Sequence, residues 1–145
     1  MDNQEYSIVV ARPIGEVFAY LDDVESEREW QPNLREVQKT PPGPSAVGTK
    51  KRYVSQFLGK RIENTYEVIE MGPGWRIVYR TTPDSFVEAT SEVRCEPEGD
   101  GTRVTMVVTA RPGGALRLVP KKLMEKASVE ELRDSLERLK ALLEA

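Results

Sequence analysis

Histidine does not occur anywhere in the 145 residues. That absence removes Ser-His-Asp and Cys-His nucleophilic arrangements, imidazole base catalysis and the histidine ligands of most catalytic zinc sites. A single cysteine, Cys95, excludes an internal disulfide and a cysteine-cluster metal site. No apolar run approaches the ~18 residues of a membrane span. Cations are not in excess either: 21 Lys and Arg interleave with 24 Asp and Glu, whereas a nucleic-acid module concentrates its basic residues in a patch. No G-x-x-x-x-G-K-[ST] phosphate loop occurs. The opening MDNQEYS is acidic and polar rather than a secretory signal, so the expected location is the cytoplasm. Any chemistry would rest on carboxylates, Tyr, Lys, Arg, Ser, Thr or bound water, with no metal and no cofactor expected.

What the chain does contain suits one globular domain spanning 1–145. Hydrophobic residues make up 39% and charged residues 31%, enough apolar material for a core and too much for disorder. Glu5 to Ala11 alternates as a strand with Tyr6, Ile8 and Val10 on its apolar face. Pro13 then fits the first turn of a helix, and Ile14, Val17, Phe18 and Leu21 recur at helical spacing. Asp22 or Asp23 can cap a second short helix, Ser26 with Glu29 matches the capping-box pattern, and Pro32 ends that helix at Trp30. Leu34 to Lys39 reads as a weaker strand, followed by the proline-rich TPPGPSAVG.

Five further β-rich runs lie near 48–58, 60–71, 75–81, 86–96 and 103–111. Turn signals at Leu58-Gly59-Lys60, Gly72-Pro73-Gly74, Pro83-Asp84-Ser85 and Gly99-Asp100-Gly101 separate them, and links this short force antiparallel neighbours. Arg111-Pro112-Gly113-Gly114 closes the meander. A long helix follows, with a stripe of Leu123, Ala127, Leu132, Leu136, Leu139 and Leu143. It starts either with Pro120 in its first turn or near Ala115 with Pro120 as a kink. The class is therefore α+β: a seven-stranded curved antiparallel sheet, two short helices after the first strand, and a long C-terminal helix across the sheet, an arrangement that tends to leave a cavity between them.

The order of these elements, carried by ARPIGEVFAYLDDVESEREWQP, VGTKKRY, FLGKRIENTYEVIEM, GDGTRVTMVV and LERLKALLEA, resembles the helix-grip fold of the START-like (SRPBCC) superfamily, in its polyketide cyclase/dehydrase-like branch. The resemblance covers essentially the whole chain. It implies that Pro13 to Trp30 is a paired helical support for the sheet and that Trp30 packs near a cavity entrance, against a plainer reading of Trp30 as a core aromatic.

Period-two alternation sorts the strands into faces. Ile62, Asn64, Tyr66 and Val68 read as inward, as do Trp75, Ile77 and Tyr79. The next two strands turn Val87, Ala89, Ser91, Val93 and Cys95, and then Val104, Met106, Val108 and Ala110, to the same side. For 48–58 the inward set is read as Tyr53, Ser55 and Phe57 rather than Val54, Gln56 and Leu58. The candidate ligand-lining residues are thus Trp30, Tyr53, Ser55, Phe57, Asn64, Tyr66, Trp75, Tyr79, Ser91 and Met106, with Met124 from the final helix. Apolar walls with a few convergent polar groups are the usual make-up of a small-molecule site. The structural alternative is that the Tyr hydroxyls reach the rim and Asn64 bonds to backbone.

Other features read as structural. Cys95 is a small buried hydrophobe. Asp22, Asp23 and Glu25 serve capping rather than a cation site. Lys50, Lys51 and Arg52 are a solvated strand end, and the charges of KKLMEKASVEELRDSLERLK form the outer face of an amphipathic helix. No inward Arg or carboxylate stands out. The expected function is binding of a hydrophobic or amphipathic small molecule between sheet and final helix, as a monomer or homodimer, with no nucleic acid and no integral membrane segment. Two other readings stand beside it. One is a polyketide aromatase/cyclase-type enzyme relaying protons through Tyr, Asn, Ser or water. The other is a protein whose long helix or sheet edge docks a partner, with Leu142 and Leu143 at the surface.

Overall fold

The computed structural model describes residues 3–111, 113 and 117–145. Pro112, Gly114 and Ala115, on which the closing turn and an early helix start depend, lie outside the described residues. Seven strands form one antiparallel sheet: β1 (Gln4–Val10), β2 (Leu34–Thr40), β3 (Lys50–Phe57), β4 (Lys60–Gly72), β5 (Arg76–Thr81), β6 (Glu88–Glu98) and β7 (Gly101–Arg111). Their order is β1-β7-β6-β5-β4-β3-β2, a meander closed at one edge by the first strand. The helices are α1 (Ile14–Asp22), α2 (Val24–Trp30) and α3 (Lys121–Glu144).

Local chemistry explains the boundaries. Pro13 is the N-cap of α1 and Pro120 that of α3, so α3 begins after Pro120 with no kink at that residue. Asp23 caps α2 by accepting from the Glu25 amide at 3.0 Å and from Ser26 Oγ at 3.0 Å. Ser26 therefore sits inside the helix, and the Ser26–Glu29 capping box does not form. Leu58 and Gly59 make the two-residue turn between β3 and β4, both with positive φ (51° and 77°). A type I′ hairpin turn demands that of both residues, and leucine resists it. Leu58→Asn should therefore raise stability by about 1 kcal/mol, read from the urea midpoint.

The sheet is curved and its concave face holds the core. Val10, Val68, Val104, Leu136 and Leu139 are fully buried there, packed with Val17, Leu21 and Trp30 from the two short helices. The paired support expected of Pro13 to Trp30 is thus in place. At the other end of α3, Met124 meets Ile62, with Phe57, Val87 and Val119 around them. Leu123, placed in the helix stripe by its spacing, instead faces solvent, because Met124 one position on takes the inward site. Several bonds hold α3 against β1 and its end: Tyr6 Oη to Glu137 Oε1 (2.9 Å), Lys140 Nζ to Val9 O (2.6 Å) and Arg12 Nε to Leu143 O (2.6 Å). Between the two apolar ends of α3 a space remains between the helix and the middle of the sheet. No helix among the described residues is long and apolar enough to cross a membrane.

Candidate functional site

The gap between sheet and helix is a cavity of about 220 Å³, adjoined by a second space of about 140 Å³ with which it shares Ser55, Asn64, Tyr66, Val108, Ser128 and Glu131. The strand register builds its floor. Tyr53 on β3 opposes Asn64 on β4, and Tyr79 on β5 opposes Ser91 on β6. Tyr53 and Tyr66 meet edge to face at 5.6 Å between centroids, as do Tyr66 and Tyr79 at 6.3 Å. A tyrosine ladder therefore crosses three neighbouring strands. Ser91 and Met106 continue the floor, while Phe18, Leu21 and Trp30 close one end. The roof is α3, whose Ser128, Glu131, Leu132 and Ser135 recur at helical spacing over the gap.

Of the residues singled out in the sequence, Trp30, Tyr53, Ser55, Asn64, Tyr66, Tyr79, Ser91 and Met106 line the larger space, and Phe57 and Met124 the smaller. Trp75 lines neither. It precedes β5 at the Gly72-Pro73-Gly74 turn and is 44% exposed. Its indole lies over Gly72, where an added Cβ would run into Trp75 Nε1. Strand alternation assigns Trp75 the inward side, but it lies just before β5 begins and its ring rests on the Gly72 turn instead. Asn64 spends its Oδ1 on the Val87 amide at 2.9 Å, so that atom does bond to backbone. The Trp30 indole N–H is buried and has no acceptor among the described residues.

The sequence reading missed the charged part of the site. Lys51 is not a solvated strand end. It shares the inward face of β3 with Tyr53 and Ser55 and is 1% exposed. Its ammonium donates to Glu27 Oε1 at 2.8 Å and to Tyr79 Oη at 3.3 Å, and lies 3.4 Å from Asp22 Oδ1. Asp22, free of the capping task that Asp23 performs, accepts from the Ser45 amide and hydroxyl and pairs with Lys39 at 3.3 Å. Lys39 also donates to the carbonyls of Asp22 and Gly43, each at 2.8 Å. Two ammonium groups and two carboxylates thus neutralise each other at the closed end of the cavity. Burial alone would lower the Lys51 pKa, but the charges of Glu27 and Asp22 and the Tyr79 oxygen outweigh it and raise it. Burial would likewise raise Asp22, yet the Ser45 bonds and both lysines bring it below its ordinary value.

Glu131 is different. It has no ion pair among the described residues. Burial pushes its carboxyl up to about 7, and only a polar contact from the Asn33 side chain pulls it back. Burial also raises Tyr66 and Tyr79 to about 12; the Glu131 charge adds to the first, while Lys51 acts against the rise in the second. Both phenols are neutral donors at ordinary pH. Because Tyr79 Oη accepts from Lys51, its own proton points to another acceptor. Cys95 is buried and its thiol is raised to about 12 by that burial, so it is inert. Among the described residues no cluster of metal-ligating side chains is present.

Chains of known structure share this architecture. A START superfamily protein from Mycobacterium smegmatis is 17% identical, with a TM-score of 0.81, 98% of this chain and 97% of that one being covered. The Zhui aromatase/cyclase from Streptomyces sp. R1128 is 17% identical, with a TM-score of 0.78 over 99% of this chain and 93% of that one. A protein from Deinococcus radiodurans is 21% identical, with a TM-score of 0.71 over 97% and 95%. Identities this low show a common fold. Among curated proteins no sequence matches the chain. Residues 1–144 match the family described as polyketide cyclase/dehydrase and lipid transport, and the chain belongs to that family.

Proposed function

We propose that the chain binds an amphipathic small molecule in the cavity beneath α3. The carrying observation is the unfilled space itself, walled by Phe18, Leu21, Ile77, Val93 and Leu132 and furnished with a few converging polar groups. That combination is the usual make-up of a small-molecule site, and the family's lipid-transport branch agrees with it. Purified protein is expected to carry, or to take up, a noncovalent adduct in a native mass spectrum that vanishes on denaturation. Ser128→Trp, which fills the roof, should abolish uptake at a folding cost of about 1–3 kcal/mol. Uptake undiminished in a folded Ser128→Trp protein would put the ligand elsewhere and sink the reading.

One observation favours a second reading, an enzyme of the aromatase/cyclase kind: a buried carboxyl that titrates near 7 over a floor of tyrosine hydroxyls. Such a carboxylate is tuned to take a proton from carbon next to a ketone. The Tyr79 hydroxyl, polarised by Lys51, is a fitting donor to the enolate oxygen. The fold shared with an aromatase/cyclase supports this reading. On it, the wild-type protein should catalyse deuterium exchange beside the carbonyl of an aryl methyl ketone. Glu131→Gln should slow that exchange by roughly 10²–10⁴-fold while leaving ketone binding intact. Equal exchange rates in both proteins would exclude Glu131 as the base.

A further inference from the structure

The charge inventory of the cavity says more about the ligand than its shape does. Three lining side chains are ionisable acids or amines: Glu27, Lys51 and Glu131. The first two are bound to each other, and Asp22 and Lys39 complete their neutral cluster. Among the described residues no ammonium lining the cavity is therefore left to receive a ligand carboxylate, and an anionic head entering here would be buried without a partner. Glu131 is the reverse case, a carboxyl over the same space with no cation beside it among the described residues. Tyr66 from β4 and Asn33 from the turn after α2 interact with it, and Gln31, Ser55, Ser128 and Ser135 line the same space. None carries a positive charge. Outward along α3, Arg133 pairs with Asp134, while Arg138 bonds to the Glu29 carbonyl, so neither turns inward.

Beneath Glu131 runs the ladder of Tyr53, Tyr66 and Tyr79; the Lys51 ammonium already lies over the Tyr79 ring, 5.4 Å from its centroid, which leaves Tyr53 and Tyr66 for a ligand. Aromatic rings attract a cation through their negative faces, most strongly where water is excluded. Carboxylate above and rings below favour the same head group. We infer that the cavity selects an apolar body bearing a protonated amine, with Glu131 as the residue that sets this preference, and that it rejects the corresponding carboxylate. The inference rests on the cavity being a ligand site, as proposed above.

Three probes of one apolar body test it: naphthylmethylamine, naphthol and naphthoate, titrated calorimetrically into the full chain at pH about 8, where the amine is charged and the acid ionised. The amine should bind at least about tenfold more tightly than naphthoate, a difference of ~1.4 kcal/mol. Glu131→Gln should erase that ratio and leave naphthol within about twofold. At pH about 5.5 the wild-type ratio should shrink, because Glu131 then holds its proton. Naphthoate binding as tightly as the amine, or a ratio indifferent to Glu131→Gln, overturns the inference and leaves the cavity reading standing. Amine binding that survives Ser128→Trp places the amine outside the cavity and also overturns it. Failure of all three probes to bind overturns the cavity reading, and the inference with it.

Discussion

Replacing Lys51 by methionine is expected to lower the unfolding free energy by about 3–5 kcal/mol, the range for removing one partner of a buried ion pair. In a chain of this length that corresponds to a fall in Tm on the order of 10 °C. Methionine fills a similar volume, so the loss is one of charge rather than of packing. Asp22 keeps Lys39 and Ser45, but Glu27 is left with neutral donors, the Gln31 amide at 3.0 Å and the Tyr53 hydroxyl. Its carboxylate is then buried with no cation. The effect should be insensitive to salt, since screening reaches exposed pairs far more than buried ones. The pKa of Lys51 is raised by folding, so the stability it contributes is fully present below the ordinary lysine value and is lost only as pH rises past it. Measurements at neutral pH therefore read the whole effect. A double-mutant cycle with Glu27→Gln separates the pair from its parts: the double variant should be less destabilised than the two single losses combined. Strict additivity would mean that Lys51 and Glu27 do not interact in the folded protein.

Why this lysine escaped the sequence reading is instructive. KKR at 50–52 looks like a strand end in water, and for Lys50 and Arg52, both exposed, it is. Strand alternation nonetheless gives Lys51 the same face as Tyr53 and Ser55, the set read as inward. Periodicity points this residue inward and its type points it outward, and a solvated strand end follows only from the type. Only the arrival of Glu27 and Asp22 from the helical pair, 24 and 29 positions earlier, makes the inward placement possible, and that contact has no local signal. Glu131 escaped for a related reason. In MEKASVEELRDSLERL the charged positions read together as an outer face, although Ser128, Glu131 and Ser135 share the side of Leu132. The tyrosine ladder, by contrast, was legible, because period-two alternation and hairpin register are local properties that fix which side chains meet. Trp75 shows the limit of that rule, since alternation gives a side but not whether anything stands over it.

Glu131→Gln is expected to be more stable than the wild-type chain at pH about 8 by on the order of 3 kcal/mol, and nearly equal to it at pH about 4. The sign follows from the carboxyl's environment. Burial raises its pKa from 4.5 to about 7 in the folded protein, so the unfolded chain ionises first as pH rises. Stability is fully present below the ordinary glutamate value and is lost progressively as pH climbs through the folded one. Above that value the fold holds a carboxylate with no cation beside it, whereas glutamine is neutral throughout and of nearly the same shape. Urea midpoints of both proteins across this range measure the difference directly. On the proposed reading, a destabilising carboxyl at this position is offset by the ligand it receives. An added amine ligand should then restore wild-type stability at high pH and do little for Glu131→Gln, by mass action on the folded state. If the two proteins instead track each other from pH about 4 to 8, Glu131 is already compensated in solution, and the cavity has no unpaired charge with which to choose its ligand.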